Sequence, residues 1–152
     1  MAPLVGHRVA ALGPGYQSPH GLAEALDGHV LESVEARGKH LLACFDSGRI
    51  LHSHLRMTGA WHVYAEGQSW ARSPRSAWLT LSASGLVAVQ FGGPVLALLD
   101  RARVALHPAL RNLGPDLLDD EPRIDVAVQR ARALSPAARP IGEVLLDQTV
   151  AA

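Results

Sequence analysis

Residues 40–56 read HLLACFDSGRILHSHLR, and this stretch decides the fold. Residues 40–45 are a mostly apolar run of strand length, and Asp46-Ser47-Gly48 is a tight-turn signal. From Arg49 to Arg56 apolar and polar residues mix with period two. Ile50, His52 and His54 fall on one face and Leu51, Ser53 and Leu55 on the other. Two strands joined by a short turn form an antiparallel hairpin. The flanking sequence repeats the motif. Upstream, residues 4–12 read as a strand ended by Gly13-Pro14-Gly15, residues 21–26 as a helical turn, and residues 30–36 as a half-buried strand. Downstream, Thr58-Gly59 turns the chain into a strand over 60–64, and a polar loop covers 65–75. Strands follow at 77–82, 86–91 and 95–99, the first two joined by Ala83-Ser84-Gly85. Short strands spaced by tight turns predict a mainly β (α+β) fold, a two-sheet antiparallel β-sandwich.

The character changes after Asp100. Residues 101–106 predict one helical turn, ended at His107-Pro108, and Asn112 to Asp116 a loop. Apolar residues at 124, 126, 128, 131 and 134 predict a helix over 124–134, and a second helix is expected over 141–150, after Pro140. The division that follows is a β-sandwich over 1–118, then a linker and the start of a helical domain over 119–152.

Composition narrows the function. The chain has 152 residues, 48% of them hydrophobic, enough for a core. Fourteen basic residues balance fourteen acidic ones, which excludes a protein that coats nucleic acid by bulk charge. One cysteine, Cys44, excludes an internal disulfide framework and a four-cysteine zinc site. The sequence has no apolar run of membrane-spanning length, and its first residues make a poor signal peptide, so no membrane partner is expected and the cytoplasm is the default compartment.

Charge is uneven within this neutral total. Residues 47–99 carry Arg49, Arg56, Arg72 and Arg75 but a single acid, Glu66, along with His52, His54 and His62. Acids gather at Asp116, Asp119, Asp120, Glu121 and Asp125. The plain reading is solvated surface; the functional one is a basic, strand-borne face for a polyanion. Lys39 is the single lysine among thirteen arginines. An amine can give up its proton near neutral pH and a guanidinium cannot, so Lys39 is either a chance survivor or a position that needs an amine. Zinc needs three or four ligands with supporting partners, and no acid or cysteine is in range of His52, His54 and His62; one buried, hydrogen-bonded histidine and two surface ones is the expectation. No G-x-S-x-G or phosphate-loop spacing occurs. Arg56 and Met57 sit at a hairpin tip. There a cation can hold a phosphate backbone while an apolar side chain wedges into a base stack, although such tips are also common without function.

EARGKHLL, LHSHLRMTGAWHVY, HPALRNLGPDLL and IGEVLLDQTVAA, in this order, resemble the formamidopyrimidine-DNA glycosylase / endonuclease VIII family, and more closely its endonuclease VIII branch. The resemblance implies the N-terminal β-sandwich of that family. It also implies a base-excision-repair enzyme that removes oxidised bases from double-stranded DNA and cuts at the abasic site, acting on a flipped-out nucleotide. Under it, Lys39 is the catalytic lysine that contacts the phosphate beside the lesion, Met57 fills the gap left by the flipped nucleotide, and Arg56, Arg111 and Asn112 contact DNA. The family's nucleophile is an N-terminal proline followed by glutamate, whereas this chain reads Met1-Ala2-Pro3-Leu4. The expectation is therefore the middle of such an enzyme, truncated and weakly active or inactive, without its catalytic N-terminal helix, its helix–two-turn–helix part or its zinc finger. No cofactor is expected, the family's zinc included, and a monomer is. The alternatives are a non-catalytic DNA-binding or interaction module on the same sandwich, and a shortened enzyme using the Ala2 α-amine or Lys39 as its Schiff-base nucleophile.

Overall fold

The computed structural model describes residues 1–118, 120–134 and 139–152, with backbone only at Leu134. Asp119, which opens the expected second segment and is one of its acids, lies outside the described residues. So does the Leu134 side chain counted in the helical pattern. The strands are β1 (Ala10–Leu12), β2 (Leu31–Arg37), β3 (His40–Phe45), β4 (Ile50–His54), β5 (Ala60–Ala65), β6 (Ala77–Ala83), β7 (Leu86–Phe91) and β8 (Val95–Leu99). The helices are α1 (Leu22–Leu26), α2 (Arg101–Leu106), α3 (Pro108–Arg111), α4 (Ile124–Leu134) and α5 (Ile141–Leu145).

Two four-stranded sheets form, in the orders β1-β6-β7-β5 and β2-β3-β4-β8. The hairpin read from residues 40–56 pairs Leu42 with His52 and Cys44 with Ile50. On its other edge β4 pairs with β8, His52 facing Ala97. An interior strand has neighbours on both sides, and four of its five residues, Ile50 to Ser53, are buried. Leu31, Ala43, Phe45, Leu51 and Leu96 of this sheet share one core with Ala11, Leu79, Leu81 and Ala88 of the other. The turns fit their residues. Ser84 and Gly85 both take positive φ, 51° and 74°, the pattern of a two-residue hairpin loop whose twist matches its strands.

Two expected elements are shorter than the pattern implied. Residues 4–12 do not form one strand. A 3-10 turn covers Ala2–Leu4, with Pro3 in its first turn where a missing N–H costs nothing. Gly6 then takes φ +85°, and pairing resumes at an isolated Arg8–Val30 bridge before β1. The helix expected over 141–150 ends at Leu145. Beyond it Asp147 Oδ1 accepts hydrogen bonds from the Thr149 N–H at 3.1 Å and the Thr149 hydroxyl at 2.7 Å. This local alternative satisfies a donor that a continuing helix would have to satisfy itself.

The chain divides into two compact units, Met1–Ala36 with His40–Ala102, and Arg37–Lys39 with Arg103–Ala152. The first is the sandwich. The second gathers α3, α4, α5 and the turn that carries Lys39.

Candidate nucleic-acid interface

Arg56 and Met57 belong to the first unit. They stand between β4 and β5, where the Gly59 N–H donates to the Leu55 carbonyl at 2.9 Å and closes the turn. Arg56 adopts φ +48°, left-handed backbone that costs a side-chain-bearing residue roughly 1–2 kcal/mol. Met57 is 96% exposed, and an apolar side chain left in water forgoes about 1.5–3 kcal/mol of burial. The tip thus presents a guanidinium and a thioether together, on a left-handed turn.

The basic stretch read from sequence is partly surface and partly scaffold. Arg72 Nη1 donates to the Thr58 carbonyl at 3.3 Å, and its guanidinium lies 5.9 Å from the Phe91 ring centre. Trp70, beside it in the chain, packs on Tyr64 and Phe91 at 6.3 and 5.9 Å. His52 is buried, with Nε2 2.8 Å from His40 Nδ1, so one ring donates and the other accepts. The His40 ring lies 4.5 Å from that of His54, centre to centre. His54 and His62 are half-buried where surface positions were expected, because each lies within a strand of a packed sandwich. Among the described residues no group of three or more His, Cys, Asp or Glu is placed to hold a metal ion.

Lys39, Arg111 and Asn112 belong to the second unit, and all three are exposed. Lys39 follows Gly38, whose φ is +55° and whose missing side chain leaves room for the Gln148 amide. Lys39, Leu146 and Gln148 line a recess of about 230 Å³. Arg111 and Asn112 line another of about 440 Å³ with Arg130 and Thr149. Arg130 was not singled out from sequence. Its Nη1 donates to the Leu113 carbonyl at 2.7 Å and the Thr149 carbonyl at 2.9 Å, tying the loop after α3 to the turn after α5. Gly114 N–H reaches the Gln148 carbonyl at 2.7 Å, and Ala152 N–H the Pro115 carbonyl at 3.0 Å. Asp147 receives Arg139 Nη1 at 3.1 Å. The Thr149 hydroxyl and N–H, then Arg139, hold the Asp147 carboxyl below the usual carboxylate range.

The structure therefore brings Arg56 together with Met57, Arg111 and Asn112 with Arg130, and Lys39 with Gln148. Sequence reading missed Arg72 as a scaffold residue, Arg130 as a tie, and Gln90. A signal existed for Gln90 alone, a single amide in the apolar run Leu86 to Phe91.

Comparison with known proteins bears on the family and the fold. Residues 5–105 match the formamidopyrimidine-DNA glycosylase N-terminal domain. A probable endonuclease 8 of Streptomyces coelicolor is 40% identical over 124 residues, covering 81% of this chain and 44% of that protein. Endonuclease 8 of Salmonella typhi is 31% identical over 126 residues, covering 82% and 47%. The chain thus spans about half the length of the curated relatives it matches. A Lactococcus lactis formamidopyrimidine-DNA glycosylase, solved non-covalently bound to abasic-site DNA, superposes with a TM-score of 0.75 at 19% identity, over 99% of this chain and 58% of that one. A second complex of the Lactococcus lactis enzyme, with formamidopyrimidine-containing DNA, gives 0.75 at 20% identity. At that identity the likeness is one of fold, and it is the two-sheet sandwich derived above. With two-thirds of its length under the domain match, the chain belongs to the formamidopyrimidine-DNA glycosylase N-terminal domain family.

Proposed function

We propose that this chain is the damage-binding half of a base-excision-repair DNA glycosylase and abasic-site lyase. The observation that carries the reading is the tip between β4 and β5, where a 96% exposed methionine stands beside a left-handed arginine. Met57 enters the base stack where a nucleotide has left it, and Arg56 neutralises a flanking phosphate. Lys39, in the other unit, supplies the amine that faces the phosphate beside the lesion, and Arg111 and Asn112 add backbone contacts. The names of the relatives, endonuclease 8, support the enzymatic class. So does DNA bearing an abasic site or a damaged base in the solved complexes. The partner is double-stranded DNA with such a lesion, bound by a monomer in the bacterial cytoplasm.

Chemistry and binding are tested on one sample. The chain is mixed with a duplex carrying one abasic site, with and without borohydride, alongside Lys39→Ala. A trapped covalent adduct means that an amine of this chain reaches the sugar C1′ and forms a Schiff base. Salt-sensitive binding that favours the abasic duplex, without an adduct, assigns the chain to damage recognition alone. Equal affinity for intact and abasic duplexes overturns the reading.

A further inference from the structure

We propose that Arg72 and Gln90 are positioning residues which hold the Met57 turn in its DNA-entering shape. This rests on the reading of Met57 as a wedge. A wedge that wanders before binding must be ordered at the moment of binding, and one ordered in advance is not charged that entropy. The turn has little of its own to hold it. The Gly59–Leu55 hydrogen bond closes it, and Arg56 within it takes left-handed backbone at some cost.

Two supports reach the turn from outside, both within the sandwich unit. The first comes from beneath. Gln90 of β7 is completely buried, and its Nε2 donates to the Gly92 carbonyl. Gly92 and Gly93 take φ of +59° and +99°, so this bend follows a path that side-chain-bearing residues rarely adopt. The bend in turn presses on the tip. A Cβ on Gly59 would lie 2.8 Å from Gly93 Cα and 2.7 Å from the Leu55 carbonyl oxygen. Among the described residues the buried Oε1 of Gln90 has no hydrogen-bond partner. The Gln90–Gly92 bond ties the interior of β7 to the bend that follows it.

The second support comes from the side. Arg72 donates to the Thr58 carbonyl next to Met57. Its loop is exposed, yet the arginine is anchored by the residues before it. Trp70 packs on Tyr64 and Phe91, and the Ala71 N–H donates to the Tyr64 hydroxyl at 3.1 Å. Phe91 also lies under the Arg72 guanidinium, so one ring seats both Trp70 and Arg72. The aromatic cluster is thus a base plate from which Arg72 steadies Thr58.

The test uses methyl-labelled methionine, because the chain has only two methionines, Met1 and Met57, and the spectrum is correspondingly simple. Adding an abasic duplex is expected to move the Met57 methyl upfield, the ring-current signature of insertion between bases. Arg72→Ala is expected to lose at least half of that shift while the salt dependence of binding stays unchanged. Arg72→Lys, which keeps a donor for the Thr58 carbonyl, restores most of it. Gln90→Leu behaves like Arg72→Ala; should it fail to fold, the surface variants at Arg72 decide the matter. An arginine that merely contacts phosphate gives the opposite result, a salt slope smaller by about 0.9 with the methyl shift intact, and that overturns the proposal. If the methyl of the unmodified protein does not move on binding, the wedge reading fails and the clamp with it. If it moves equally in every variant, the clamp alone fails.

Discussion

Gly114 runs so close to Val150 that a Cβ at position 114 would overlap the Val150 carbonyl and come within 2.5 Å of the Ala151 nitrogen. Here glycine is required by contact between two stretches of backbone, which cannot step aside as a flexible side chain can. Gly114→Ala is expected to destabilise the second unit by about 1–3 kcal/mol, the usual range for overpacking. Hydrogen exchange at the Gly114 and Ala152 amides, both bonded across this crossing, reads the loss. Unchanged protection in the variant would refute the account.

Asp147 gives the same unit a defined pH response. Its carboxyl titrates lower in the folded chain than in the unfolded one, because Thr149 and Arg139 favour the ionised form. The stabilisation is therefore complete above the unfolded value, about 3.9, and is lost as pH falls through the folded value. Exchange at the Thr149 amide is expected to accelerate, relative to its intrinsic rate, as pH falls below about 4. Asp147→Asn, which cannot titrate, should flatten that dependence.

Arg56 is a place where stability and function are expected to part. Replacing it with glycine relieves left-handed backbone strain, so chemical denaturation should show a gain of up to about 1 kcal/mol. The same variant loses a cation at the tip, and its salt slope for duplex binding should fall by about 0.9. A destabilised Arg56→Gly would show that the arginine side chain holds the turn.

Leu51 is fully buried at the centre of the sandwich, on the interior strand β4. Leu51→Ala is expected to cost about 2–5 kcal/mol, through lost transfer free energy and the cavity left behind. Met57→Ala, at a residue almost entirely in water, is expected to leave the melting temperature unchanged. The pair separates a residue that maintains the fold from one left in water.

How much of this was legible beforehand follows from the range of the interactions involved. The 40–56 hairpin, β7 and β8 could be read because pattern, turn residues and strand length agree within about ten residues. Helix α4 emerged with the bounds its apolar spacing implies. The strand over 4–12 and the helix over 141–150 were overextended, because each yields to one local event, the positive φ of Gly6 and the Asp147–Thr149 hydrogen bonds. At the candidate interface, the exposed tip at Arg56 and Met57 could be located from its turn. The partners of that tip could not. Arg72 and Gln90 lie well along the chain from Met57 and act on backbone atoms, which leave no trace in a pattern of side chains. Arg130 was hidden for the same reason, since each acceptor it finds is a carbonyl.

The neighbourhood of Gly38 and Gln148 also bears on the order in which the protein is completed. Roughly a hundred residues must leave the ribosome after the Lys39 turn before the Gln148 amide exists to pack on it, a delay of about 5–20 s at ordinary synthesis rates. The strands on either side of that turn, β2 and β3, can pair long before then. A nascent chain would therefore hold a finished sandwich while the surroundings of Lys39 were still being made, so those surroundings form after the sandwich.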